Sequence, residues 1–283
     1  MPHKEQASLF VVATPIGNFQ DITLRALDLL GSVDFVLSEN VRKTRNLLDH
    51  HGIRTQVRSY RESNSRRVIP LVLAALHDGH CVALVAEAGT PGVSDPGRDL
   101  VDAVYREGLR VVPVPGPSAV VAAVSASGMS ESRFVFEGFL PRRRSKRVKR
   151  LKEISADERL LVFFEAPHRL AACLADMADV LGDRKCLVAR EITKMYEEMT
   201  RGGLPDLAAR FAHSKPRGEF VIVCEGASGG PGVAGAGSEV DMQTIKEEGL
   251  ALIEGGMKKS EAAKRLAAKH DLPRNAVYRL LSR

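Results

Sequence analysis

Leu9-Phe10-Val11-Val12-Ala13 runs without a polar break into the turn Thr14-Pro15-Ile16-Gly17-Asn18. Apolar runs rich in β-branched residues recur as DFVLS at 34–38, CVALVA at 81–86 and RVVPV at 110–114. Between them, residues 22–30, 40–50, 66–77 and 97–107 carry apolar side chains at helical spacing, punctuated by Gly31, Gly52, Gly79 and Gly108. Strands that stay apolar on both faces are strands covered on both faces by crossover helices. The pattern therefore predicts a doubly wound parallel sheet, an α/β domain over residues 1–125.

A second α/β domain is expected over 126–226. RLLVFFEA (159–166), KCLVARE (185–191), YEEMTRG (196–202) and EFVIVCEG (219–226) alternate with helices at 168–181 and after Leu204. Strands here follow one another more often, which predicts a mixed sheet, with 139–152 as the connection between domains. The Gly/Ala/Ser-rich stretch 227–240 reads as a flexible linker. Three short helical patterns over 241–283 resemble a helix-turn-helix module, read equally as a bundle that docks on protein or as a nucleic-acid reader.

Of 283 residues, 44% are apolar and 27% charged, which excludes a globally disordered chain. No run of about 18 apolar residues is present, and the first residues lack a secretory pattern, so a cytoplasmic protein is expected. Cys81, Cys173, Cys186 and Cys224 lie far apart in apolar segments, read as buried small side chains, and no metal site is expected. The absence of Trp and the presence of four Tyr argue against an aromatic stacking platform as the main binding device.

Ligands of open α/β sheets bind beyond the carboxyl ends of the strands. Three turns there combine Gly, which admits a ligand to the backbone, with Pro, which sets the loop shape beforehand: 13–18, Glu87-Ala88-Gly89-Thr90-Pro91-Gly92 and Pro115-Gly116-Pro117-Ser118-Ala119. Together they predict a rigid, backbone-lined pocket. Neither G-x-x-x-x-G-K-[ST] nor G-x-G-x-x-G occurs at a strand-to-helix turn, which sets aside P-loop and dinucleotide sites.

In order and spacing, LFVVATPIGNFQDITLRAL, AEAGTPGVSDPG, VVPVPGPSAVVAAVSASG, FVFEGFLPR, FFEAPHRL, AREITKMYEE and GEFVIVCEG resemble the tetrapyrrole-methylase-like methyltransferases. More narrowly, they resemble the ribosomal small subunit methyltransferase I family. The resemblance implies two α/β domains with S-adenosyl-L-methionine between them and a homodimer. It also implies transfer of a methyl group to a cytidine 2′-hydroxyl of 16S rRNA. Pro15, Gly17, Glu87, Ala88, Gly89, Thr90, Pro115, Gly116, Pro117, Ser118 and Ala166 are then expected around the cofactor. Two positions depart from the family pattern: Asn40 and Glu87 each stand where that pattern has Asp.

A ribose hydroxyl is a poor nucleophile, so a positioned base is sought. Glu39, at a strand end beside the expected cleft, is the first candidate and Glu191 the second, with Lys194 near the latter. Arg42, Arg45, His168 and Arg169 are candidates for holding RNA phosphates. The strongest polyanion signal is the run 142–152: Arg142, Arg143, Arg144, Lys146, Arg147, Lys149, Arg150 and Lys152, eight cations without a carboxylate. Two other functions fit the same motifs: a tetrapyrrole C-methyltransferase, and a non-catalytic RNA-binding factor. The basic run and the helical tail favour RNA over tetrapyrrole, and retention of all three Gly/Pro turns favours catalysis.

Overall fold

The computed structural model describes residues 7–214, 216–227, 242–269, 277–278 and 280–281. Five strands, β1 (Ser8–Val12), β2 (Phe35–Ser38), β3 (Gln56–Ser59), β4 (Val82–Val85) and β5 (Arg110–Val114), pair in parallel in the order β3-β2-β4-β1-β5. Side chains alternate across each strand, so both faces need cover. Helices α1 (Leu24–Ser32) and α2 (Val41–His50) bury Leu29, Leu30, Leu47 and Leu48 against Phe10, Val12, Val36 and Val85 on one face. On the other face, α3 (Ser65–His77) and α4 (Arg98–Arg106) set Val72, Leu76, Leu100 and Val104 on Leu9, Leu37 and Leu84. The side chain of Thr23 accepts from the Ala26 amide at 3.1 Å and starts α1. Strand β1 lies between β4 and β5, so the turns that follow these three strands emerge side by side.

The second sheet is mixed, as expected. Strands β6 (Phe134–Phe139), β7 (Leu160–Glu165), β8 (Lys185–Arg190), β9 (Glu198–Gly203) and β10 (Phe220–Cys224) run in the order β6-β7-β10-β8-β9. Only β6 and β7 are parallel. Helix α5 (Ala119–Ser127) covers one face through Val120 and Ala123. Helices α6 (Arg144–Glu153), α7 (Leu170–Leu181) and α8 (Leu204–Ala212) cover the other through Leu151, Leu174, Met177 and Leu207. Both sheets belong to the compact unit that ends at Ala227.

Two expectations change. Residues 139–152 are not a connection between domains, because they close β6 and form most of α6, whose apolar residues pack beneath the second sheet. The crossing between sheets is the turn at 115–118, and the division expected after residue 125 falls inside α5, which packs on the second sheet.

In the separate unit that begins at Ser228, α9 (Met242–Glu254) and α10 (Lys259–Lys269) enclose Ile245, Ala262, Ala263 and Leu266. The third helical pattern lies largely outside the described residues, as does the expected linker from 228 onward. Among the described residues no helix is long and apolar enough to cross a membrane.

Candidate active site

The three Gly/Pro turns are tied to one another, the first two through their backbones and the third through a threonine hydroxyl. The Thr14 amide donates to the Gly89 carbonyl at 2.8 Å and the Gly89 amide returns the bond to Thr14 at 3.0 Å, while the Thr90 hydroxyl donates to the Pro117 carbonyl at 3.2 Å. Gly89 has a φ of 79°, and a Cβ on Gly116 would come within 3.0 Å of that of Ala13. Glycine is therefore required where the turns touch. Ser118 caps α5, its hydroxyl accepting from the Val121 amide at 3.5 Å.

Two cavities open beside this rim. The first, of about 260 Å³, is the more polar of the two, with Thr14, Phe19, Lys43, Asn46 and Glu87 among its walls. The second, of about 300 Å³, is walled by Ala119, Phe139, Phe164, Ala166 and Ile192, and has Asp95 at its edge. Ile16, Ala88, Lys194 and Glu219 belong to both, so the two hollows adjoin. Of the expected cofactor residues, Pro15, Gly17 and Glu87 line the polar cavity, Ala166 the apolar one, and Ala88 both. Gly89, Thr90, Pro115, Gly116, Pro117 and Ser118 line neither; they are the frame that holds the liners.

Asp95 was not selected from the sequence, although it lies in the quoted stretch AEAGTPGVSDPG. Its carboxylate has no hydrogen-bond partner among the described residues and edges both the apolar cavity and an acidic hollow containing Glu39. Burial, and then the charges of Glu39 and Glu87, push its pKa up to about 6. Pro96 restricts Asp95 from one side. From the other, Ser94 holds a φ of 65° and approaches Gly138, where a Cβ would meet the Ser94 hydroxyl at 3.2 Å.

The expected bases are differently employed. Glu39 faces the acidic hollow and lines neither cleft cavity. It makes no ion pair with Arg42 or Arg45, and its carbonyl accepts from the Arg61 guanidinium at 2.9 Å. Glu191 is a brace: one carboxylate oxygen accepts from the Lys194 ammonium at 2.8 Å and from the Glu219 amide at 2.9 Å. Burial raises its pKa, but these two bonds outweigh burial and hold it below the ordinary range, which unfits it as a base near neutrality. The brace sits in a strained loop, with φ of 49° at Glu191 and 68° at Thr193. Burial works against the charge on Lys194, yet bonds to Glu191 and to Glu219, the latter at 3.0 Å, keep the ammonium above its usual pKa. Lys194 is thus a standing cation at the junction of the cavities. Gly17 admits it, since a Cβ there would collide with its side chain.

The two departures from the family pattern touch each other. The Asn40 amide donates to Glu87 at 3.4 Å while its oxygen caps α2 at the Lys43 amide, 3.2 Å away. Lys43 also pairs with Glu87 and, as the main cause, lowers its pKa. A second carboxylate at position 40 would repel the one at 87; the amide turns that contact into a hydrogen bond.

The basic run divides along its helix. Arg147 is 5% exposed and Asp176 3%, and they pair at 2.6 Å; Arg144 reaches the same carboxylate at 2.8 Å and Asp179 at 3.5 Å. Arg150 pairs with Glu137 at 2.8 Å and with Glu153 at 3.2 Å. Arg147 is therefore closed to phosphate. So is Arg169, which donates to the Leu140 carbonyl at 2.6 Å and lies 3.3 Å from buried Glu165. Arg142, Arg143, Lys146, Lys149 and Lys152 are exposed and engage no carboxylate; His168 and Arg42 are exposed and Arg45 half-buried. The four cysteines are buried, and no cluster of metal-ligating side chains occurs among the described residues.

Residues 8–208 match the family model described as Tetrapyrrole (Corrin/Porphyrin) Methylases. The chain is 41% identical over 273 residues to the ribosomal RNA small subunit methyltransferase I of Synechocystis sp., covering 96% of each chain. It is 44% identical over 218 residues to the protein of the same name from Thermotoga maritima, a match covering 77% of this chain and 98% of that one. The solved cobalt precorrin-4 methyltransferase of cobalamin biosynthesis superposes with a TM-score of 0.61 over 80% of this chain and 97% of its own, at 18% identity.

Proposed function

Because the chain belongs to the ribosomal RNA small subunit methyltransferase I family, we propose that it methylates the 2′-hydroxyl of a cytidine in the 16S rRNA of the small ribosomal subunit. S-adenosyl-L-methionine is the methyl donor. The observation that carries the reading is the pair of adjoining cavities, one apolar and edged by an unpaired carboxylate, the other polar.

The apolar cavity suits the donor chemically. Phe139 and Phe164, packed edge to face with ring centroids 5.7 Å apart, and the small side chains of Ala88, Ala119 and Ala166 offer apolar walls for an adenine. Asp95 offers a negative charge to a cation. When bound, the donor supplies a methyl group on a positively charged sulfur. That group would pass to the hydroxyl oxygen as its bond to sulfur is lost, with S-adenosylhomocysteine as the leaving group and the hydroxyl proton given up. The residues align the two partners and keep water out, which accounts for much of such a barrier. Lys194 and its carboxylates order the junction between donor and acceptor.

Phosphate contacts are assigned to Arg142 and Arg143 just before α6 and to Lys146, Lys149 and Lys152 on its outer side, with Arg42, Arg45 and His168 as further contacts. Arg144 takes part through the half of its guanidinium that Asp176 leaves exposed. The acting form is proposed to be a homodimer in the cytoplasm, with exposed apolar side chains such as Leu24, Val121 and Met195 available to an interface. The test is to incubate the full chain with tritiated S-adenosylmethionine and unmodified 30S subunits and to locate the label. Label on a ribose of 16S rRNA is expected. Label only on a base, or only on a tetrapyrrole offered in parallel, overturns the assignment.

A further inference from the structure

We propose that the polar cavity is the pocket for the acceptor's own nucleobase, with Phe19 and Ile16 as its apolar walls and the Lys43–Glu87 pair as the reader of the base edge. The proposal rests on the methyltransferase reading above and adds to it a binding subsite with a ligand class. A ribose hydroxyl within a folded RNA reaches a recessed methyl donor only if its nucleotide leaves the stack, and the displaced base then needs a hollow next to the donor. The polar cavity adjoins the donor cavity through Ile16, Ala88, Lys194 and Glu219 and, at about 260 Å³, has room for a pyrimidine base.

Its charge argues for a neutral occupant. Lys43 and Lys194 are balanced there by Glu87 and Glu219, so the cavity presents no excess of cations to a phosphate or to a carboxylate-rich ring. Its apolar side is Phe19, 39% exposed, with Leu47 and Ile16. An aromatic face of this kind accepts a base ring by stacking.

Its polar side sets an acceptor against a donor. Lys43 spends one of its three N–H groups on Glu87, and Glu87 keeps free lone pairs beyond those taken by Lys43 and Asn40. The bond from Lys43 keeps Glu87 ionised and hence an acceptor at neutral pH. A carboxylate is the partner that suits the cytosine N4 amino group, while an ammonium suits the neighbouring N3 or O2. A uracil turned the same way would direct its O4 lone pairs at the carboxylate. Lys43 and Glu87 are 59% and 38% exposed in the free protein, so it is the entering base that covers them, and a hydrogen bond buried in this way rejects the mismatched analogue.

The experiment uses the full chain, tritiated S-adenosylmethionine, and 30S subunits reconstituted with the labelled nucleotide as cytidine or as uridine. Binding of S-adenosylhomocysteine is measured alongside by calorimetry. Glu87→Gln is expected to cut the cytidine-over-uridine preference at least tenfold while S-adenosylhomocysteine affinity stays within about twofold; Glu87→Asp, which keeps the carboxylate, should restore most of the preference. Should Glu87→Gln melt early, Phe19→Ala carries the test, with about a tenfold rise in KM for the subunit and unchanged S-adenosylhomocysteine binding. An unchanged preference in Glu87→Gln, or a parallel loss of S-adenosylhomocysteine binding in either variant, overturns the pocket assignment. If the unaltered protein labels no ribose of the subunit, the methyltransferase reading itself falls, a result separable from the others.

Discussion

The rim of the cleft and helix α6 are held by different forces. At the rim, backbone holds backbone from Thr14 to Gly89 and back, the Thr90 hydroxyl ties in the Pro117 carbonyl, and glycines stand wherever a side chain would force the turns apart. In α6, charge holds charge. One carboxylate, Asp176, takes both Arg144 and Arg147, and Glu137 takes Arg150. The rim is therefore a shape that survives changes in most side chains. The helix is a balance of charges in which neighbours of the same charge have opposite fates: Arg147 is buried and neutralised, whereas Lys146 is exposed and unpaired.

The sharpest break of that contrast is Arg147→Ala. Removing Arg147 leaves buried Asp176 with Arg144 as its remaining partner, so the cost is up to that of a broken buried ion pair, about 3–5 kcal/mol. Urea unfolding should show a loss of that size, against about 0.5 kcal/mol or less for Lys146→Ala. A loss below about 1 kcal/mol would mean that α6 is anchored by Leu151 and its apolar neighbours alone.

This division explains what was legible beforehand. Backbone-held features announce themselves locally: Gly and Pro after a β-branched run gave the three turns, and the runs themselves gave the parallel sheet. Side-chain pairing does not, because Asp176 lies 29 residues beyond Arg147 and becomes its neighbour only when α7 packs on α6. The basic run consequently reads as uniform when it is two-sided. Strand β3, Gln56-Val57-Arg58-Ser59, escaped notice for a related reason: it is an exposed edge, fastened by pairing to β2 and by Arg58 lying 3.9 Å over the Phe35 ring. Asp95 escaped because its importance comes from being half-buried without a partner beside Glu39, a property of the packing.

Asp95 ties the rigid rim back to charge and gives a test by pH. Its pKa, raised to about 6, means that the free protein holds this carboxyl increasingly protonated as pH falls through 6. A cationic donor prefers the ionised form, so affinity for S-adenosylmethionine should fall by up to tenfold, about 1.4 kcal/mol, for each pH unit below 6. The cofactor-free fold responds with the opposite sign. Because the folded pKa lies above the ordinary 3.8, Asp95 binds its proton more tightly folded than unfolded, and its contribution to stability rises as pH falls from 6 towards 4. Asp95→Asn should flatten both profiles. Calorimetric titration between pH 5 and 8 with S-adenosylmethionine and with uncharged-sulfur S-adenosylhomocysteine tells which positive group Asp95 meets: a steeper profile for the former points to the sulfonium, equal profiles to the ammonium. Flat profiles for both would remove Asp95 from the donor site.

The smallest effect is expected from the outer side of α6, and it sharpens the contrast best because it separates binding from folding. Lys146 and Lys149 lie three residues apart on the exposed side, engaged by no carboxylate, so replacing both with alanine removes repulsion as well as charge. Unfolding free energy should stay within about 0.5 kcal/mol of the parent. RNA affinity should weaken uniformly across sequences, and the slope of log K against log salt should shrink by about one for each lysine that holds a phosphate. Filter binding of 16S rRNA fragments over a salt series measures both quantities. An unchanged slope in the double variant would mean that these lysines are solvated and that the phosphate track runs elsewhere, through Arg142, Arg143 and Lys152 or through Arg42, Arg45 and His168, since Arg147 and Arg150 are already committed to Asp176 and Glu137.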